Sequence, residues 1–195
     1  MRILQRMCFI IAVVVVTGCA HPMVISPDIS KIERDNTQPI DKNVGYYMAP
    51  DAREKAVTTP GGGGDMVTYQ PYKDIEAGFY KMLSNVFKNV TVLKSSNDAA
   101  TISKQSISYV ITPVIATNSS SSSILTWPPT RFTVTLTCNI ADSHGKPVTI
   151  ISVTGEGQAE FDEFKHNFSL SGERAAQDAL LKMQRALLNA PDLRN

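Results

Sequence analysis

A surplus of positive charge is missing from this 195-residue chain, in which 19 Lys and Arg face 18 Asp and Glu for a formal net charge of +1. Without a basic stripe to release counterions from phosphates, nucleic acid is not expected as a partner. Cysteine is scarce too. Of the three, Cys138 stands alone inside an alternating apolar stretch and reads as a small core residue rather than a reactive thiol. No hydrophobic run after residue 19 is long enough to suggest a membrane-spanning helix. The histidines are His21, His144 and His166, and only His166 has acidic neighbours, Asp162 and Glu163. Residues so placed alternate sides or face water, so no metal site is expected. No serine stands in a nucleophile elbow, and no histidine is spaced to activate one, so no catalytic residue is assigned and the chain is not expected to be an enzyme. The glycine run 61–64 is followed by Asp65-Met66 where a phosphate loop needs a lysine and a hydroxyl. That mismatch leaves a flexible loop and no cofactor.

What the chain does have begins at its N-terminus. Arg2 and Arg6 form a positive region, and the apolar segment from Cys8 to Val16 is far shorter than the roughly 20 residues a spanning helix needs. The motif Val16-Thr17-Gly18-Cys19 resembles the lipobox of bacterial lipoproteins, whose signal peptidase cuts before a cysteine that becomes the acylated N-terminus. An ordinary secretory signal or an uncleaved anchor is the other reading of this segment. The resemblance implies that residues 1–18 are a removed signal peptide and that Cys19 carries acyl chains, palmitate among them. Because Ala20 and His21 follow the cysteine rather than an aspartate, it also implies an outer-membrane address facing the periplasm. Several chains, each methylene contributing about 0.8 kcal/mol when buried, hold a protein stably where one chain is marginal. Loss of the leader leaves 177 residues with 17 Lys plus Arg against 18 Asp plus Glu. With Cys19 acylated, Cys138 has no partner for an intrachain disulfide.

Residues 19–43 are polar, carry Pro22, Pro27 and Pro39, and show no periodicity, which predicts a flexible lipidated tether. Residues 44–190 suit a single periplasmic domain with its own core. A first strand is expected at 44–48 and a loop at 49–70. A helix then opens at Pro71, with Ile75, Phe79, Met82, Leu83 and Val86 on one face. A short strand at 90–93 and a polar connection at 95–105 follow. Ile107, Tyr109, Ile111, Pro113 and Ile115 lie on one side of the next strand, which Pro113 pushes toward an edge or bulge. Phe132, Val134, Leu136, Cys138 and Ile140 alternate with Thr133, Thr135, Thr137 and Asn139, a half-buried strand with one wet face. A tight turn at 142–146 feeds a strand over 150–161. There Gly155 and Gly157 leave room for the final helix to approach, or mark a bulge. Ser171 is placed to cap that helix, whose stripe is Ala176, Ala179, Leu180, Met183 and Leu187. The order predicts an α+β fold, a two-layer sandwich in which an antiparallel meander sheet carries two helices on one face.

Tyr109-Val110-Ile111, the strand 132–140, the turn 142–145 and Val153-Thr154-Gly155-Glu156-Gly157 carry a topological resemblance to a group of small periplasmic domains. The group includes the lipopolysaccharide-assembly lipoprotein, the lipoprotein activators of penicillin-binding proteins and the N-terminal domain of the Tol translocation β-propeller. The likeness spans about 44–188. The glycine run 61–64 and the segment 119–129 depart from it, so it implies a fold and an address but neither a partner nor a ligand.

One segment invites a binding role. Five serines, 119–123, precede Ile124-Leu125-Thr126-Trp127-Pro128-Pro129, which puts the single tryptophan of the chain in a long connection. Trp127 either folds back over a core edge or, with Ile124 and Leu125, forms a contact loop, since tryptophan is enriched where interfaces are strongest. The function expected is a non-enzymatic, lipid-anchored periplasmic protein that binds or stabilises a component of an envelope assembly or transport machine. The alternative is a lipid or glycolipid carrier using a basic and apolar strip such as Lys165 and Arg174. A hydrolase built on His166, Asp162 and Glu163 would need a cleft converging on them.

Overall fold

The computed structural model describes residues 20–35, 37–122 and 127–194, so Cys19, Ile124 and Leu125 lie outside the described residues. In chain order the elements are β1 (Ala20–Pro22), β2 (Ile40–Tyr46), α1 (Pro50–Glu54), β3 (Val57–Pro60), β4 (Met66–Tyr69), α2 (Pro71–Val86), β5 (Phe87–Val92) and α3 (Ala99–Lys104). They are followed by β6 (Tyr109–Ser120), β7 (Arg131–Asp142), β8 (Pro147–Gln158), α4 (Phe161–Phe164) and α5 (Leu170–Leu188). The architecture is the α+β sandwich expected. The main sheet has the order β5-β2-β6-β7-β8, and α2 and α5 pack on one of its faces. Its antiparallel part, β6-β7-β8, is the expected meander, extended by β2 and β5, which pair in parallel. Parallel neighbours need a crossover, and α2 supplies it between β2 and β5.

The apolar periodicities account for the interface between the layers. Ile75, Phe79, Met82, Leu83 and Val86 of α2 are all buried, as are Ala176, Ala179, Leu180, Met183 and Leu187 of α5. They meet Phe132, Val134, Leu136, Cys138 and Ile140 from β7 in one continuous core. The opposite face of the sheet stays wet along its threonines, and hydroxyls pair across it, Thr135 with Thr154 at 3.1 Å and Thr137 with Ser152 at 2.8 Å. Among the described residues its end near α3 is covered, where Leu93, Ile102, Ile107 and Val110 form a second small core. Pro113 sits just beyond the stretch Tyr109–Ile111 that pairs with β2, so its missing N–H costs no ladder bond on that side.

Of the two roles open to Gly155 and Gly157, close helix approach is the one observed. A Cβ at Gly157 would lie 1.9 Å from the Ser171 carbonyl oxygen, and one at Gly155 would lie 2.2 Å from the Ala179 nitrogen. The exposed edge of β8 is then occupied by α5 side chains. Asp178 accepts from the Glu156 N–H at 2.9 Å, while Lys182 and Arg174 donate to the Thr154 and Gln158 carbonyls at 2.9 and 2.7 Å. Such pairing blunts a strand edge that would otherwise invite another chain. Ser171 does not cap α5. Ser169 occupies the cap position, and the buried Ser171 hydroxyl donates to the Pro129 carbonyl at 2.8 Å.

The largest departure is the segment 20–43, which is a packed strap rather than a tether. Four of its apolar residues, Met23, Ile25, Ile32 and Ile40, are buried, while Val24 and Ile29 face solvent. Its backbone polar groups find partners on both helices and on the neighbouring small sheet. The Met23 N–H donates to the Thr68 carbonyl at 2.8 Å, and the Ile25 N–H donates to an Asp74 carboxylate oxygen at 3.2 Å. Asn85 donates to the Ile32 carbonyl and to Gln184 Oε1, both at 2.9 Å, and Gln184 donates onward to the Glu33 carbonyl at 2.9 Å. Prolines in an irregular segment suit an extended strap as well as a flexible one, and burial decides between the two.

The loop expected at 49–70 likewise contains α1 and the hairpin β3-β4, joined by β1 into a three-stranded sheet of order β1-β4-β3. This sheet docks on the end of β6 through hydroxyls. Tyr69 donates to Thr117 at 2.8 Å, and Ser119 donates to the Pro60 carbonyl at 2.6 Å.

Candidate functional site

Trp127 lies at the end of the meander where β7 begins, at the opposite end of that strand from the 142–146 turn. The strap carries His21 to the same place, because β1 runs parallel to β4 with His21 opposite Val67. The His21 imidazole stacks on the Trp127 indole with ring centroids 4.2 Å apart and planes 17° from parallel. Phe168, just before α5, meets the indole at 4.9 Å and 55°. The Trp127–Phe168 separation falls in the range where aromatic pairs attract beyond simple burial, and the His21 ring stacks closer still.

The glycine run fixes this arrangement from below. Residues 61–64 form the β3-β4 hairpin loop, with Gly63 and Gly64 at φ 66° and 88°. The Gly62 N–H donates to the Trp127 carbonyl at 2.7 Å. A Cβ at Gly61 would stand 2.3 Å from that same oxygen, so only glycine permits the approach. His21 Nε2 lies 3.4 Å from an Asp65 carboxylate oxygen at the far side of the loop. Trp127 is therefore half-buried and packed against the main core.

At this end of the fold, where the Ala159 N–H meets the Thr130 carbonyl, large apolar side chains remain in solvent. Phe168 is 47% exposed, Val24 57% and Phe161 60%. Val24 is held beside the cluster by its N–H, 3.4 Å from Ser169 Oγ. Phe161 stands edge-on to the buried Phe164, with centroids 5.5 Å apart. Trp127 and Phe168 thus pair with each other and exposed Val24 lies nearby, side chains suited to a boundary between water and an apolar phase.

The other residues singled out by sequence do not converge. Lys165 pairs with Asp162 at 2.8 Å, and Arg174 pairs with Glu163 at 2.7 Å. The Arg174 hydrogen bond, with a second from the Glu160 N–H, holds the Glu163 carboxyl down at about 2. Both acids beside His166 are thus already engaged, and no group of three His, Cys, Asp or Glu among the described residues could hold a metal ion. Cys138 is fully buried, and burial pushes its thiol up to about 12. An apolar hollow of about 570 Å³ lies between the strap and the start of α2, lined by Met23, Val24, Tyr69 and Lys73 among others, and neither Lys165 nor Arg174 lines it. Sequence reasoning picked out Trp127 but missed His21 and Phe168. The available signal was the position of His21 two residues after Cys19.

No protein-family model matches the chain, and no curated protein matches it. Among solved structures, a Xanthomonas campestris protein of the DUF330 family is similar at 11% identity and a TM-score of 0.48, over 88% of this chain and 90% of the other. PelC from Paraburkholderia phytofirmans, solved as a dodecamer, is similar at 14% identity and a TM-score of 0.35, over 75% and 96%. A minor lipoprotein from Acinetobacter baumannii is similar at 11% identity and a TM-score of 0.35, over 77% and 93%. Small lipoproteins of Gram-negative bacteria are thus among the structures the chain is similar to. The specific likeness to the lipopolysaccharide-assembly lipoprotein, the penicillin-binding-protein activators or the Tol domain is not shown by these structures.

Proposed function

We propose that the protein is a non-catalytic envelope protein, anchored through acylated Cys19 at the periplasmic face of the outer membrane, that holds or stabilises a component of an envelope assembly or transport machine. The observation that supports this reading is that Ala20, the first described residue, is already paired with Met66. A flexible 24-residue tether would let the domain wander about 25–30 Å from its lipid. The packed strap leaves a single peptide unit, about 3.8 Å between Cα atoms, between residue 19 and the first strand. A domain held that closely has a fixed side toward the membrane and a fixed side toward the periplasm. The threonine face of the meander, open among the described residues with Val114 46% and Ile150 67% exposed, would receive a protein component.

The carrier alternative rests on the apolar hollow beside the strap. Its proposed cations, Lys165 and Arg174, are tied into local ion pairs away from it, which favours the protein-binding reading. The test has two arms. Mass spectrometry of the mature N-terminal peptide should find acyl chains on Cys19, and Cys19→Ser should move the protein from the membrane to the soluble periplasmic fraction. Photo-crosslinkers at Thr135 and Thr137 should give a discrete protein adduct that the Cys19→Ser chain loses. An unmodified residue 19 would overturn the anchor, and adducts to lipid alone would replace protein binding with the carrier role.

A further inference from the structure

We infer that the aromatic cluster of Trp127 and Phe168, with His21 and Val24 beside it and Phe161 at the same end of the fold, seats in the headgroup layer of the bilayer, so that the domain stands on the membrane in one orientation. The inference rests on the anchor proposed above and adds to it a contact surface and a direction.

Reach comes first. His21 lies two positions after Cys19, with only Ala20 between them, a span of at most about 7 Å along an extended chain. The glyceryl group on an acylated Cys19 lies at the boundary of headgroups and chains, so His21 is held within that distance of the boundary. The Trp127 ring stacks directly on it, 4.2 Å away. Tryptophan favours that boundary, where its apolar body and its indole N–H are both satisfied.

The surroundings agree. Val24, Phe161 and Phe168 are large apolar side chains left 47–60% exposed at this end of the fold. Trp127 is already ordered by its stacking partners and by the Gly62 hydrogen bond, so seating it requires little further loss of freedom. Charge does not drive the contact. Glu160, Asp162 and Glu163 border Phe161, while Lys165 and Arg174 neutralise two of these acids. Seating should therefore depend on apolar contact and not on anionic lipid. The twelve residues of β7 run from this end to the 142–146 turn, which places that turn about 36 Å further along the strand.

The single tryptophan provides the assay. The lipidated protein is reconstituted into phosphatidylcholine vesicles whose chains are brominated near the carbonyl end, and its fluorescence is compared with that in unbrominated vesicles. Trp127 emission should fall at least about twofold, and equally when phosphatidylglycerol is included. A reporter tryptophan from His144→Trp in a Trp127→Phe background, on the exposed far turn, should be unquenched. Phe168→Ser and Phe161→Ser, both at exposed positions, should each weaken the quenching while the protein still floats with the vesicles. Protein that floats but shows equal quenching at positions 127 and 144, or none at 127, would overturn the seating and leave the anchor intact. Protein that fails to float would remove the anchor and the seating together.

Discussion

Replacing Gly157 by alanine should strip more stability from this domain than any comparable addition of one methyl to a surface strand. A Cβ at that position would stand 1.9 Å from the Ser171 carbonyl oxygen and 2.5 Å from the Ala175 nitrogen, both backbone atoms of α5. Neither can swing aside as a side chain would. Restoring an ordinary contact of about 3.4 Å needs α5 to retreat by about 1.5 Å, and a gap of only about 0.5–1 Å already forfeits a quarter to a half of the dispersion attraction across it. The retreat would loosen the packing of Ala175, Ala176, Ala179 and Leu180, all fully or almost fully buried. The cost should therefore reach or exceed the top of the usual overpacking range, about 3–4 kcal/mol. Urea unfolding of residues 20–195 measures it. At a slope near 2 kcal/mol per molar, the midpoint should fall by about 1.5–2 M with the slope unchanged. Gly145→Ala is the control, since nothing lies within 4 Å of its Cβ and only its φ of 82° is strained. It should cost about 1–2 kcal/mol. A Gly157→Ala cost no greater than that of Gly145→Ala would refute the backbone contact between β8 and α5.

Two further outcomes follow from the polar contacts. Asn85→Ala leaves the buried Ile32 carbonyl and Gln184 Oε1 without their donor, which should cost about 2–3 kcal/mol. Limited proteolysis should then cut the strap first; a strap as resistant as wild type would contradict its role as a clamp. Glu163 titrates near 2 in the fold against an ordinary 4.5, because Arg174 and the Glu160 N–H both bond its ionised form. A depressed carboxyl contributes stability that is complete above pH 4.5 and is lost as the pH falls toward 2. Asp98 and Asp142 are lowered as well, by bonds from Thr101 and from Lys146 and His144. The readout is thus the difference in slope of the thermal midpoint between wild type and Glu163→Gln over that window, and parallel slopes would show that the pair with Arg174 is not formed in solution.

The parts legible in the sequence were those whose burial repeats. The α2 stripe from Ile75 to Val86 and the alternation from Phe132 to Ile140 each name a face, because one side of a regular element must be apolar to be buried. The strap offered no such repeat. Met23, Ile25, Ile32 and Ile40 are spaced irregularly among prolines and charges, and their burial depends on hollows formed by α2, α5 and β4 that local sequence cannot describe. Parallel pairing of β2 with β5 and β6 was hidden for a related reason: short strands carry no mark of which distant strand will flank them. At the candidate site the rarity of tryptophan drew attention to Trp127, while the glycine run could be read only as a loop. Its actual use, bringing that loop under the Trp127 carbonyl, needed a contact between residues 62 and 127 that only the fold supplies.

The strap also dictates an order of assembly. Ile25 packs where a Cβ on Gly172 would be 2.5 Å from it, Gln184 holds Glu33, and Arg194 donates to the Gln38 carbonyl at 3.3 Å. The first described residues thus dock on the last ones of the chain. Because these partners lie about 150 residues apart, their contacts close late, and the opening segment stays slack until α5 has formed. Arrival of the C-terminus then clasps the opening segment shut, so the two ends of the chain lock one another. A chain cut short before α5 would lack the surface on which Ile25 and Glu33 dock, leaving that stretch open to protease.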